Sequence, residues 1–176
     1  MHPCIAAADA LLAQAAGFIA MLDDGLYARL CPAASGGSIG QHLRHALDHF
    51  AALFAGAGGV IDYDHRERGV AMETCRASAE TALDELRAAL TLVRPDELGR
   101  PTTVRVMVSR DGRTVDLATT LGRELAFATH HALHHHAMMR FIAESFGVRP
   151  AAEFGYAPST LLAAAGADAS SSACPE

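Results

Sequence analysis

The chain has 176 residues, of which 51% are hydrophobic, and a formal net charge of −6. This length fits one domain with a sizeable core, and this composition favours a packed globule over a disordered chain. The acidic balance provides no basic surface for nucleic acid or for an anionic membrane, so we expect a small-molecule substrate as the partner. We expect one domain over residues 1–165 and a disordered tail, rich in Ala and Ser, over residues 166–176.

Cysteine spacing and the N-terminal segment indicate the compartment. The four cysteines are Cys4, Cys31, Cys75 and Cys174. No two of them form a C-x-x-C motif. Cysteines spaced in this way are typical of free thiols in a reducing compartment. Residues 5–22 are nearly all apolar, but Asp9 and Gln14 interrupt them, which favours a buried helix over a membrane span. Because the N-terminus also lacks the basic start of a signal peptide, we expect a cytoplasmic protein outside the membrane.

Hydrophobic periodicity predicts four long helices. They cover roughly residues 4–22, 38–57, 70–92 and 120–146. The second helix begins at a capping box, with Ser38 at the cap and Gln41 three residues later. A charged loop is expected over residues 60–69, and a short helix is expected to begin at Pro158.

A β-hairpin is expected between helices three and four. Val104, Val106 and Val108 alternate with other residues, and Asp111-Gly112 supplies a turn before the return strand. The predicted fold class is therefore all-α, a four-helix bundle with a short β-hairpin between helices three and four.

Histidines are the outlier of the composition. The chain has 10, and all except His2 lie between His42 and His136. The fourth helix carries two overlapping pairs of histidines four residues apart: His130 with His134, and His131 with His135. Residues at this spacing share a helix face, so either pair could bind one metal ion with two imidazoles.

The apolar stripe of the fourth helix distinguishes between these pairs. At about 100° per residue, His131 and His135 turn toward the interior. His130, His134 and His136 are predicted at the surface or on the flank. A single inward histidine is more often a hydrogen-bonded core residue. Two at ligand spacing favour a metal site, because unpaired buried imidazoles carry a desolvation cost.

The second helix could supply a third imidazole. His42, His45 and His49 form one strip, and the apolar stripe lies nearer to His42 and His49 than to His45. Periodicity therefore leaves the third ligand open. Each of these histidines could also lie on a solvated face beside Arg44 and Asp48. Three protein ligands with an open position are typical of a catalytic metal site.

Two segments resemble the metal-ligand helices of DinB/YfiT-like proteins. The first is SIGQHLRHALDHF at 38–50, and the second is LGRELAF at 121–127, leading into HALHHHAMM at 131–139. The similarity extends to 62–68 and 154–160. The resemblance implies a four-helix bundle, often dimeric, with one metal ion held by three histidines. Carried over by position, these are His45, His131 and His135, while His49 stays an alternative to His45.

The resemblance also implies a chemistry. Characterised members include thiol-dependent transferases and isomerases, so we expect a metal-dependent thiol transferase or hydrolase. The expected cofactor is a divalent metal ion (Zn, Ni or Fe), with a low-molecular-weight thiol as cosubstrate and a homodimer as the assembly. The family's Gly-Gln after the last ligand region is replaced here by Ala137-Met138. The alternative is a non-catalytic metal-binding or sensing bundle.

Overall fold

The computed structural model describes residues 1–64 and 69–171, and within these ranges the chain forms six α-helices and three β-strands. The helices are α1 (Pro3–Ala20), α2 (Asp24–Ala28), α3 (Ile39–Gly56), α4 (Arg76–Leu92), α5 (Leu121–Ser145) and α6 (Pro158–Ser171). The strands are β1 (Val60–Asp62), β2 (Pro101–Met107) and β3 (Thr114–Thr120). Of the tail predicted over 166–176, residues up to Ser171 belong to α6 and the rest lie outside the described residues.

The predicted all-α fold class is wrong, because the described part of the chain includes a mixed three-stranded sheet. Its order is β1-β2-β3, with β1 parallel to β2 and β2 antiparallel to β3. Ile61 pairs with Val104, which pairs in turn with Leu117. The sequence predicted only the β2–β3 hairpin. Strand β1 has three residues, too few to show alternation, and its parallel partner lies far along the chain. Residues 65–68 of the predicted charged loop lie outside the described residues.

The four long helices α1, α3, α4 and α5 pack around one hydrophobic core. Helix α3 lies along α5, and α1 packs against both α4 and α5. Helix α1 is long and apolar enough to cross a membrane by length and composition, with a mean hydropathy of 1.5. The core helix of a globular protein can meet the same criterion of length and composition. The burial of Ile5, Leu12 and Ile19 in the core is what such a helix shows.

The start of α3 is the capping box that the sequence predicts. The Ser38 hydroxyl accepts a hydrogen bond from the Gln41 main-chain nitrogen at 3.2 Å, and the Gln41 side chain accepts one from the Ser38 nitrogen at 3.1 Å. Two residues after Ser38, the main chain at Glu73 passes close to Gly40. A Cβ at this position would lie 2.1 Å from the main-chain oxygen of Glu73, so only glycine allows this approach.

The segment before α4 is held against α3 by a buried ion pair. The Arg44 Nε lies 3.0 Å from Glu73 Oε1, and Arg44 Nη1 donates to Asp48 at 2.6 Å. Arg44 is buried, so the alternative of a solvated face beside it does not hold for Arg44. The third helix, expected from residue 70, begins at Arg76, because a 3₁₀ turn at Ala71–Glu73 and an extended residue precede it.

Candidate metal centre

Three histidines meet between α3 and α5. His45 comes from α3, and His131 and His135 come from α5, and their candidate ligand atoms all lie within 4.8 Å of one another. The Nε2 atom of His131 is 3.1 Å from Nε2 of His45 and 3.1 Å from Nε2 of His135. These are the three residues that the resemblance indicates, and two of them are the pair that the helical wheel turns inward.

The spacing and chemistry of this group fit a metal ion. Nitrogen ligands about 2.0–2.1 Å from a tetrahedral metal are about 3.3 Å apart, close to the separations seen here. Burial, and after it the neighbouring imidazoles of His131 and His45, lower the pKa of His135 to about 2. His135 is therefore neutral at physiological pH, and a neutral imidazole is the form that coordinates a metal.

His49 lies beside this group. Its Nδ1 lies 3.0 Å from the main-chain oxygen of His45, and its ring stacks on His131 with centroids 3.9 Å apart. The His49 ring also stacks on the ring of Tyr63, with centroids 5.0 Å apart. Periodicity correctly indicates that His49 is buried. The group of candidate ligands nevertheless contains His45 and not His49, the two residues between which the sequence left the choice open.

The remaining histidines of α5 divide into exposed and buried. His130 and His134 are exposed, as predicted. His136 was also predicted near the surface, but it is 1% exposed, and its ring stacks on Phe154 with centroids 4.7 Å apart. The prediction is wrong because Phe154 comes from the chain beyond α5 and covers that face, which the wheel of α5 alone does not include. Burial lowers the pKa of His136 to about 3.

A buried carboxylate supports the aromatic neighbours of the site. Glu124 is fully buried, and it accepts hydrogen bonds from the hydroxyls of Tyr63 at 2.9 Å and Thr119 at 2.7 Å. Arg123 Nη1 lies 2.9 Å from the same carboxylate. Burial and the bond to Glu124 raise the pKa of Tyr63 above its usual range. The Tyr63 hydroxyl therefore stays protonated, and its bond to Glu124 holds the ring against His49.

Periodicity and composition do not predict this network of hydrogen bonds around Glu124. The signal that was present is the position of Tyr63 and Glu124 inside the segments that carry the family resemblance. Hydropathy gives no reason to bury a glutamate, since burial of a charge depends on partners brought from elsewhere in the fold.

No protein-family model matches the chain, and no solved structure matches it. A curated relative, FK506-binding protein 5 of the mould Rhizopus delemar, is 28% identical over 103 residues, which is 58% of this chain. The chain spans 27% of the length of this relative. This similarity establishes neither a family nor an activity for the chain.

Proposed function

We propose that the protein binds one divalent metal ion, Zn, Ni or Fe, through His45, His131 and His135, and that it is a metal-dependent enzyme acting on a small molecule. The observation that carries this proposal is the convergence of three imidazole nitrogens within 4.8 Å, contributed by two helices. Neutral imidazole binds each of these metals, so the ligands alone do not select one of them. Which metal the protein binds then depends on which is available in the cell.

The number of ligands favours catalysis over non-catalytic metal binding or sensing. The group contains three histidines and, among residues 1–64 and 69–171, no further histidine, cysteine or carboxylate. Three protein ligands leave a coordination position for water or substrate. A metal ion in such a site lowers the pKa of a bound water or thiol and so supplies a nucleophile at neutral pH.

The protein's own residues would shape this site. His45, His131 and His135 would hold the ion. His49, hydrogen-bonded to the main chain of His45, would lie along one side of the site. The resemblance to DinB/YfiT-like proteins supports membership of that family and a thiol as the activated group. We therefore propose a thiol transferase or hydrolase, cytoplasmic and homodimeric. Light scattering of the purified protein tests the dimer.

Metal content tests the first step of the proposal. The protein should be purified without a polyhistidine tag and without chelators, and its metal measured by inductively coupled plasma mass spectrometry. We expect one equivalent of a divalent metal per chain. Less than a tenth of an equivalent, both as purified and after reconstitution with Zn²⁺, Ni²⁺ or Fe²⁺, would overturn it.

An open coordination position separates the enzyme from the non-catalytic alternative. The Co²⁺-loaded protein should be titrated with a small thiol such as 2-mercaptoethanol. A sulfur-to-cobalt charge-transfer band is expected if the thiol reaches the ion. Bound cobalt whose spectrum is unchanged by thiol and by pH would favour a sealed binding or sensing site.

A further inference from the structure

His42 lies on the far side of His135 from the other candidate ligands. The Nδ1 of His42 is 3.0 Å from Nδ1 of His135, whereas Nε2 of His135 is 3.1 Å from Nε2 of His131. The two nitrogens of one imidazole lie on different edges of the ring. His135 thus faces the ligand group with one nitrogen and His42 with the other.

The number of protons on each ring determines which of the two histidines donates this hydrogen bond. A neutral imidazole carries one proton, so one ring nitrogen donates and the other accepts. A nitrogen that coordinates a metal must be unprotonated. If Nε2 of His135 faces the ion, its proton is on Nδ1, and Nδ1–H donates to Nδ1 of His42. The proton of His42 is then on Nε2.

The surroundings of His42 hold its ring in place. Its Nε2 would lie 2.9 Å from a Cβ built on Gly37, so the absence of a side chain there makes room for the ring. Gly37 is fixed in turn, because its main-chain oxygen accepts a hydrogen bond from the Cys31 nitrogen at 2.9 Å. His42 itself is half-buried at the start of α3.

We propose that His42 is a positioning residue that accepts a hydrogen bond from Nδ1–H of His135 and so directs Nε2 of His135 toward the metal ion. The proposal rests on the proposed function, since it concerns the same site. A hydrogen-bond partner on the outer nitrogen selects the tautomer and orientation of a metal-binding histidine, and its removal typically weakens binding by about 10–100-fold. In this chain the partner is a neutral imidazole, in a place where a carboxylate or carbonyl oxygen is common.

The variants His42→Leu and His42→Asn test this role as a matched pair. Leucine and asparagine have nearly the same shape, but only asparagine has an acceptor on Cγ, where His42 has Nδ1. Zn²⁺ affinity is measured by competition with a chromophoric chelator. We expect about 10–100-fold weaker binding for His42→Leu and recovery to within a few-fold for His42→Asn. His130→Leu, an exposed position on α5, is the control and should bind as the wild type does.

Three affinity results would overturn the proposal. Wild-type affinity in His42→Leu would show that the contact does not matter. Loss of stoichiometric binding as complete as in His135→Ala, in both variants of His42, would make His42 a ligand instead of a positioning residue. Weak binding in both variants with one equivalent retained would show that the hydrogen bond is not the cause.

Nuclear magnetic resonance reads the tautomer directly. In the ¹⁵N-labelled Zn²⁺ protein we expect a His135 Nδ1–H resonance that persists in His42→Asn and exchanges with water much faster in His42→Leu. A His135 ring protonated on Nε2 would overturn the proposal. If the wild-type protein binds no metal, the proposed function fails and His42 has no metal-positioning role. The same spectra of the metal-free protein then still show whether the hydrogen bond exists.

Discussion

His49 donates its Nδ1 proton to the main-chain oxygen of His45, 3.0 Å away. A carbonyl oxygen only accepts, so in this bond Nδ1 of His49 is the donor and carries the proton. The bond joins residues one helical turn apart on α3 and holds the His49 ring against His131. His45, in contrast, directs Nε2 to within 3.1 Å of Nε2 of His131.

We therefore expect His45→Ala and His49→Ala to behave differently. His45→Ala should lose most of the bound metal, since loss of a ligand exceeds the roughly 10–100-fold cost of altering an outer-shell partner. His49→Ala should keep close to one equivalent. Mass spectrometric metal analysis after dialysis measures both, with circular dichroism to show that each variant is folded. Retention of metal by His45→Ala together with its loss from His49→Ala would reverse the assignment.

On α5 we expect His131→Ala and His135→Ala each to release most of the metal. His130→Ala should keep it, because His130 is exposed and lies outside the ligand group. All three variants replace a histidine of α5 by alanine. His130→Ala therefore controls for the effect of removing any histidine from this helix. Full occupancy in both His131→Ala and His135→Ala would remove the basis of the metal proposal.

Tyr63→Phe should destabilise the protein by about 1–3 kcal/mol, since it removes one donor from the buried carboxylate of Glu124. Urea unfolding of the metal-free protein measures this. The control is Tyr156→Phe: Tyr156 is 44% exposed, so we expect a change within about 0.5 kcal/mol. Equal stabilities of Tyr63→Phe and the wild type would show that the Glu124 carboxylate does not need this donor.

The stability of the metal-free protein should fall as the pH drops below 6.5. The folded state holds the pKa of His136 at about 3, by burial, while in the unfolded chain it is near 6.5. Between these values the unfolded chain binds a proton that the folded protein does not, so acid favours unfolding. From pH 7 to pH 5 this one residue should cost about 2 kcal/mol.

His136→Leu separates this contribution from that of His135, whose lowered pKa acts in the same direction. Urea unfolding with a chelator present should show a pH-dependent loss smaller by about 2 kcal/mol in His136→Leu than in the wild type. Identical pH dependence of the two proteins would mean that His136 becomes protonated in the folded state.

The sequence by itself determined the features that arise within one element. Periodicity located the four long helices, although the third begins later than expected, and the capping box at Ser38 marked the start of α3 correctly. The wheel of α5 turned His131 and His135 inward. These features depend on interactions between residues at most four apart, and such interactions are visible in any short window of sequence.

Only the tertiary structure decided the features that need a second segment. Strand β1 exists because β2 lies beside it, and His136 is buried because Phe154 covers it. Periodicity also could not choose between His45 and His49. Both rings contact His131. What separates them is that Nε2 of His45 lies 3.1 Å from Nε2 of His131, while Nδ1 of His49 lies 3.0 Å from the main-chain oxygen of His45. The partner that fixes a side chain is distant in sequence, and the local pattern of hydrophobic residues carries no record of it.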